Sequence, residues 1–86
     1  MARFEVRLRR SVAKDLLRLP KSDNRRIVTR IEALAENPRP HGCEKLAGSS
    51  AYRIRQVDYR IVYTIDDGLI LVEIIRIGHR REVYRG

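Results

Sequence analysis

Residues 51–77, AYRIRQVDYRIVYTIDDGLILVEIIRI, constrain the fold of this chain more than any other stretch. Apolar and polar side chains alternate along them. Tyr52 and Ile54 fall on one side, Arg53 and Arg55 on the other; Tyr59, Ile61, Tyr63 and Ile65 oppose Arg60, Val62 and Thr64. A period of two marks half-buried strands. The pattern predicts three strands over about 51–57, 59–65 and 69–77, with a short turn at Gln56–Asp58. Asp66-Asp67-Gly68 supplies a tight hairpin turn. The last strand is nearly all Leu, Ile and Val, which predicts a central position in the sheet.

The first half of the chain supplies the layer that covers this sheet. RFEVRLR (3–9) alternates Phe4, Val6 and Leu8 with Arg3, Glu5, Arg7 and Arg9, and reads as a strand with one wet face. Ser11 is placed to cap a helix whose stripe is Val12, Leu16 and Leu19, ended by Pro20. Ser22 or Asp23 is placed to cap a second helix, with Ile27, Ile31, Leu34 and Ala35 on one face and Asn37-Pro38 as its stop. The outward faces carry Lys14, Arg18, Arg25, Arg26 and Arg30, which by themselves read as a solvated helix surface. Residues 38–50 are rich in Pro, Gly and Ser and read as a loop. The predicted class is α+β, in the order β-α-α-β-β-β: an antiparallel-dominated sheet with a helix hairpin packed on one face. No helix remains for the other face, so its side chains are expected to meet solvent or a ligand.

With 86 residues the chain is expected to form a single domain over 1–86, burying roughly 60 to 65% of its unfolded surface. Its net charge is +8, and sixteen of its nineteen cationic side chains are arginine. Guanidinium forks bind phosphate and carboxylate in a bidentate way, so the bias points to a polyanionic partner; arginine-favouring codons are the competing source. The single cysteine, Cys43, excludes an intrachain disulfide and fits a reducing compartment. It falls in the loop near His41 and reads as a bystander rather than a nucleophile. The N-terminus has no apolar signal-peptide core, and no apolar run is long enough to cross a bilayer, so a soluble cytoplasmic protein without membrane contact is expected.

On the uncovered face the alternation gathers Arg53, Arg55 and Arg60, with residues 55 and 60 flanking one turn. Like charges repel unless carboxylates or a bound polyanion compensate them, and Glu73 is the candidate carboxylate nearby. Two readings stay open: a phosphate-binding floor, or a sheet face kept soluble by charge. The C-terminal GHRREVYRG then brings His79, Arg80, Arg81 and Tyr84 beside the strand ends. His79 is the side chain there whose ordinary pKa lies near neutrality, and Tyr84 can stack on a base or exchange a proton. Each can equally be a surface or packing residue.

The arrangement YRIRQVDYRIVYTIDD…LILVEIIRIGHRREVYR, with LRLP, ENPRP and KLAG before it, resembles the RelE toxins of the RelE/ParE superfamily from bacterial type II toxin–antitoxin pairs. The likeness runs through essentially the whole chain, and its specific part is the C-terminal half. It implies a ribosome-dependent mRNA endonuclease that enters the vacant A site and uses neither metal nor cofactor. The message's own 2′-hydroxyl attacks the adjacent phosphate. Carried over by position, the resemblance implies catalytic roles for Arg60, Arg80 or Arg81, and Tyr84, and RNA binding by Arg53 and Arg55. It further implies an acidic antitoxin partner of the RelB kind.

The chain departs from the family pattern in places. Arg53 and Arg55 stand where lysines are familiar, which moves the proton-transfer role to another group, and His79 is the substitute expected here. The basic position before the sheet glycine reads Ala47, so Lys45, two places earlier, is the expected RNA contact. The segment between Gly78 and Tyr84 is shorter than in some members, leaving Arg80 and Arg81 both open as the phosphate ligand. A ParE-like toxin on the same fold, which poisons DNA gyrase and cuts no RNA, is the alternative function.

Overall fold

The computed structural model describes residues 3–79. They form β1 (Glu5–Leu8), α1 (Arg10–Arg18), α2 (Lys21–Ala33), β2 (Glu44–Lys45), β3 (Ala51–Gln56), β4 (Tyr59–Asp66) and β5 (Leu71–His79). The five strands make one sheet in the order β1-β5-β4-β3-β2, parallel between β1 and β5 and antiparallel elsewhere. This is the expected α+β architecture. β5 is flanked by β1 and β4, as its apolar sequence predicts. The two-residue strand β2 is an addition: it pairs with β3 inside a segment expected to be loop throughout.

The helix hairpin covers one face. Val12, Leu16, Ile27, Ile31 and Leu34 pack with Ile54, Ile61, Tyr63, Val72, Ile74 and Ile77 into one core cluster. The helix stripes were legible; the caps were not. α1 begins at Arg10, one residue before Ser11, and α2 at Lys21 with Pro20 at the N-cap, and neither has a side-chain cap. Proline's fixed φ suits entry into a helix, so α2 starts earlier than its polar residues suggest. Asp23 accepts a hydrogen bond from the Tyr59 hydroxyl (3.1 Å) instead of capping. Asn24 Nδ2 donates to the Leu16 carbonyl (2.7 Å), satisfying a carbonyl of the last turn of α1 and tying the hairpin shut. α2 ends at Ala33, before Asn37-Pro38, yet Leu34 and Ala35 remain buried, and the Ala35 carbonyl accepts from Phe4 N–H at 2.8 Å.

Two turns differ from expectation. Asp66-Asp67-Gly68 does not close a tight hairpin: Asp66 pairs with Leu71 across a four-residue connection, so β5 starts at 71 and runs to 79. Asp66 Oδ1 accepts the Leu69 N–H (2.9 Å) and Ile70 takes the left-handed conformation (φ 54°), a side-chain-stabilised turn in place of a glycine-based one. At the other hairpin, Gln56 pairs with Tyr59 over the two-residue loop Val57–Asp58, and Val57 has φ 55°. A β-branched residue is strained there. Val57 is exposed, so Val57→Gly removes strain without loss of packing. The variant is expected to gain about 1 kcal/mol, raising the melting temperature by roughly 4–8 °C; an unchanged or lower melting temperature contradicts this.

The long loop is clasped to the sheet. Arg39 donates to both carboxylate oxygens of Asp67 (3.2 and 2.8 Å) and to the Tyr52 hydroxyl (3.3 Å), its guanidinium lying 5.5 Å from the Tyr52 ring centroid. The hydrogen bonds from Arg39 hold the Asp67 carboxyl below the usual carboxylate range.

Candidate functional site

A β-bulge in β5 decides which side chains share the face away from the helices. Val72 and Ile74 are core residues, but the next core residue is Ile77, an odd step that breaks period two. The register shifts opposite Val62/Tyr63: Val62 pairs with Arg76 and Tyr63 with Ile74, leaving Ile75 extra. Beyond the bulge the parity of β5 is reversed. Arg76 and Gly78 therefore join the helix-free face, and Ile77 and His79 join the helix-covered one.

The helix-free face then reads as ladder rows. One row crosses the sheet as Glu44, Arg53, Val62 and Arg76; the next holds Arg55, Arg60 and Gly78; a third holds Ala51, Thr64, Glu73 and Arg7. The alternation thus placed Arg53, Arg55 and Arg60 correctly, with Arg55 directly opposite Arg60. Arg76 was missed. Its signal was present in the sequence as the consecutive apolar pair Ile74-Ile75, which interrupts the alternation just before it.

These arginines are not equivalent. Arg55 and Arg76 are exposed. Arg53 keeps 17% of its side-chain surface and donates to Glu44 Oε2 at 2.6 Å. The compensating carboxylate on Arg53 is therefore Glu44; Glu73 pairs with Arg9 (3.7 Å). Arg60 is buried, with 4% exposure, as are Val62 in the adjoining row and Ala51 in the row beyond it. The expectation that this face is open to solvent is corrected at its centre. Arg53 and Arg76 flank Val62 in its row, and their aliphatic stems are long enough to shield it. A buried guanidinium is costly to desolvate, and like charges directly across strands repel. The fold thus sets a buried cation beside an exposed one on rigid, paired strands.

Two expected site residues lie elsewhere. Lys45 pairs with Tyr52, whose side chain belongs to the helix-covered face, so Lys45 is exposed on the side opposite Arg53 and Arg55. His79 pairs with Tyr59 and meets its ring edge-on (5.7 Å between centroids, 82°). It faces a cavity of about 430 Å3 lined also by Asp15, Arg18 and Tyr59. The bulge is the physical reason: without it His79 would share the face of Arg60. Arg80, Arg81 and Tyr84 lie outside the described residues. Among the described residues, no group of three or more His, Cys, Asp or Glu side chains could hold a metal, and no helix is long and apolar enough to cross a membrane.

Known proteins share both sequence and fold with this chain. Residues 6–84 match the family described as ParE toxin of type II toxin-antitoxin system, parDE. Toxin RelE of Mycobacterium tuberculosis is 35% identical over 85 residues, covering 95% of this chain and 87% of that protein. The RelBE2 toxin–antitoxin complex of M. tuberculosis contains a chain with TM-score 0.82 and 27% identity, covering 91% of this chain and 99% of that one. The archaeal RelE–RelB complex of Pyrococcus horikoshii OT3 gives TM-score 0.82 and 29% identity over 93% and 97%. The match across the sheet that carries the arginine rows, together with the helix hairpin behind it, places the chain in the RelE/ParE superfamily of type II toxin–antitoxin toxins, as a RelE-like member.

Proposed function

We propose that this toxin is a ribosome-dependent mRNA endonuclease that cuts the codon presented in the A site. The observation that carries the reading is the arginine face: buried Arg60 with Arg55 opposite it, and Arg53 and Arg76 in the adjoining row. A ribose 2′-hydroxyl attacking the neighbouring phosphate in line generates negative charge on the phosphorane oxygens. Fixed guanidinium donors stabilise that charge most where water is excluded. In this reading Arg60 is the main transition-state donor. Arg55 and Arg76 hold flanking phosphates, and Arg53, oriented by Glu44, sets the backbone path. Arg80 or Arg81 and Tyr84 complete the site on the strength of the family resemblance, with Tyr84 stacking on a base.

This reading gives His79 no proton-transfer role, since its side chain lies with Tyr59 on the helix-covered face. General acid–base groups contribute about a hundredfold or more. His79→Ala is therefore expected to lower cleavage less than about tenfold, and a hundredfold loss with an unchanged melting curve would restore His79 as base or acid.

The partner proposed for the toxin is an acidic antitoxin. The solved relatives include RelE–RelB complexes, and this chain's +8 charge favours an acidic segment laid over its surface. The second reading, gyrase poisoning, is favoured by the family match to ParE toxins. Controlled expression separates the two. Transcript 5′ ends mapped at codon positions soon after induction support the nuclease. Gyrase-linked DNA breaks with intact transcripts support the alternative.

A further inference from the structure

On the outer face of α2, Arg25, Arg26, Thr29, Arg30 and Ala33 line a groove of about 420 Å3 that is closed by Gln56 at the end of β3. Every polar side chain in it can donate a hydrogen bond, and none is acidic. Five arginines elsewhere have carboxylate partners: Arg3 with Glu36, Arg7 with Glu5, Arg9 with Glu73, Arg39 with Asp67 and Arg53 with Glu44. Among the described residues Arg25, Arg26 and Arg30 have no carboxylate within 4.0 Å. Asp23, one turn from Arg26, binds the Tyr59 hydroxyl. Arg26 and Arg30 are a like-charge i, i+4 pair, a spacing that destabilises a helix unless an anion sits between them.

The groove also has a direction. Gln56 follows Arg55 in β3 and so faces the helix side, across the sheet from the Arg55–Arg60 row where that row nears the β3–β4 hairpin. The sheet arginines and those on α2 thus lie on opposite faces of the sheet, at the same end of β3. We propose that the α2 groove is a second phosphate-binding track, which takes the backbone of an RNA strand as it leaves the sheet face around the Gln56 edge. This rests on the reading of the sheet face as an RNA site. An acidic amphipathic peptide fits less well, since such peptides anchor by apolar side chains and the groove offers only Ala33. A phosphodiester backbone needs the donors alone.

The test uses the full-length chain and Arg25→Gln/Arg26→Gln, with a melting curve to show that the variant is folded; both residues are exposed. The probes are a fluorescent single-stranded RNA 12-mer with a non-cleavable 2′-O-methyl backbone, and poly-glutamate of equal charge, each titrated across a salt series. Two lost phosphate contacts are expected to lower the slope of log K against log salt for RNA by about 1.4, and RNA affinity at 0.1 M salt about tenfold. On programmed ribosomes KM rises while kcat stays within about twofold. Wild-type RNA affinity and slope overturn the proposal. So does a loss confined to poly-glutamate, which would assign the groove to an acidic protein. Binding is read without cleavage, so a chain that cuts no RNA but shows the slope change refutes the nuclease and keeps the track. A nuclease whose variant binds RNA like wild type does the reverse.

Discussion

Arg60→Ala is expected to lower cleavage on programmed ribosomes at least about a hundredfold, the scale of removing one transition-state donor. The size follows from position. Arg60 is the buried arginine of the face, held on the middle strand of the sheet with Arg55 opposite, so its charge acts in an environment that screens it poorly. An exposed arginine is expected to matter less: Arg55→Ala should act mainly through KM. Because alanine also empties a buried site, the melting temperature must be followed beside the rate. Arg60→Lys keeps the charge and most of the volume but loses the planar fork, and is expected to fall between wild type and alanine. Wild-type rates in a folded Arg60→Ala protein would remove Arg60 from the chemistry.

The largest effect on stability is expected at Tyr63. Its ring is fully buried in the core and stacks on Tyr52 at 5.9 Å, and its hydroxyl donates to the Pro38 carbonyl at 2.7 Å. It therefore joins the sheet core to the start of the long loop. Tyr63→Ala is expected to cost about 3–5 kcal/mol, on the scale of large aromatic deletions. Small domains have only about 5–15 kcal/mol in total, so the variant should melt at least about 15 °C lower or fail to fold. Tyr63→Phe keeps the ring and should lose about 1 kcal/mol, the worth of the hydrogen bond. Burial pushes the Tyr63 hydroxyl well above the ordinary tyrosine value. The folded state therefore favours the protonated hydroxyl. Its contribution is complete below about pH 10, the ordinary tyrosine pKa, and is lost as pH rises beyond it toward the folded value. Thermal melts between neutral and strongly alkaline pH should show this decline in wild type and a smaller one in Tyr63→Phe. Equal slopes would contradict it.

What the sequence revealed depended on whether a residue obeyed a period. Tyr52, Ile54, Ile61 and Tyr63 follow strict alternation, and the faces of Arg53, Arg55 and Arg60 followed from them. Val12, Leu16, Ile27 and Ile31 keep helical spacing and identified the hairpin. The failures are local. Ser11, Ser22 and Asp23 are good caps by composition, but Pro20 fixes one helix start and Tyr59 takes the Asp23 carboxylate, a contact 36 residues away that no local rule contains. Asp67-Gly68 looks like a hairpin turn, yet Asp66 bonds the Leu69 N–H and lengthens it. The bulge at Ile75 had the greatest consequence for the site. One extra residue moved Arg76 onto the arginine face, where alternation alone overlooked it, and β5 continues through His79, expected beside the strand ends, and turns it to the other face. The face of Lys45 was not legible either: it depends on the register of β2 against β3, which the loop composition of 38–50 conceals.

The central claim is that the arginine face promotes attack by the message's own 2′-hydroxyl. The direct measurement is cleavage by the purified chain of two ribosome-bound messages that differ by one atom: an ordinary A-site codon, and the same codon with a single 2′-deoxy nucleotide at the attacking position. The expected result is that the ordinary message is cut there, leaving a 5′-hydroxyl on the downstream fragment, while the deoxy message stays intact at that bond. Equal cleavage of both messages, or cleavage of neither by a chain that arrests growth on expression, would contradict it.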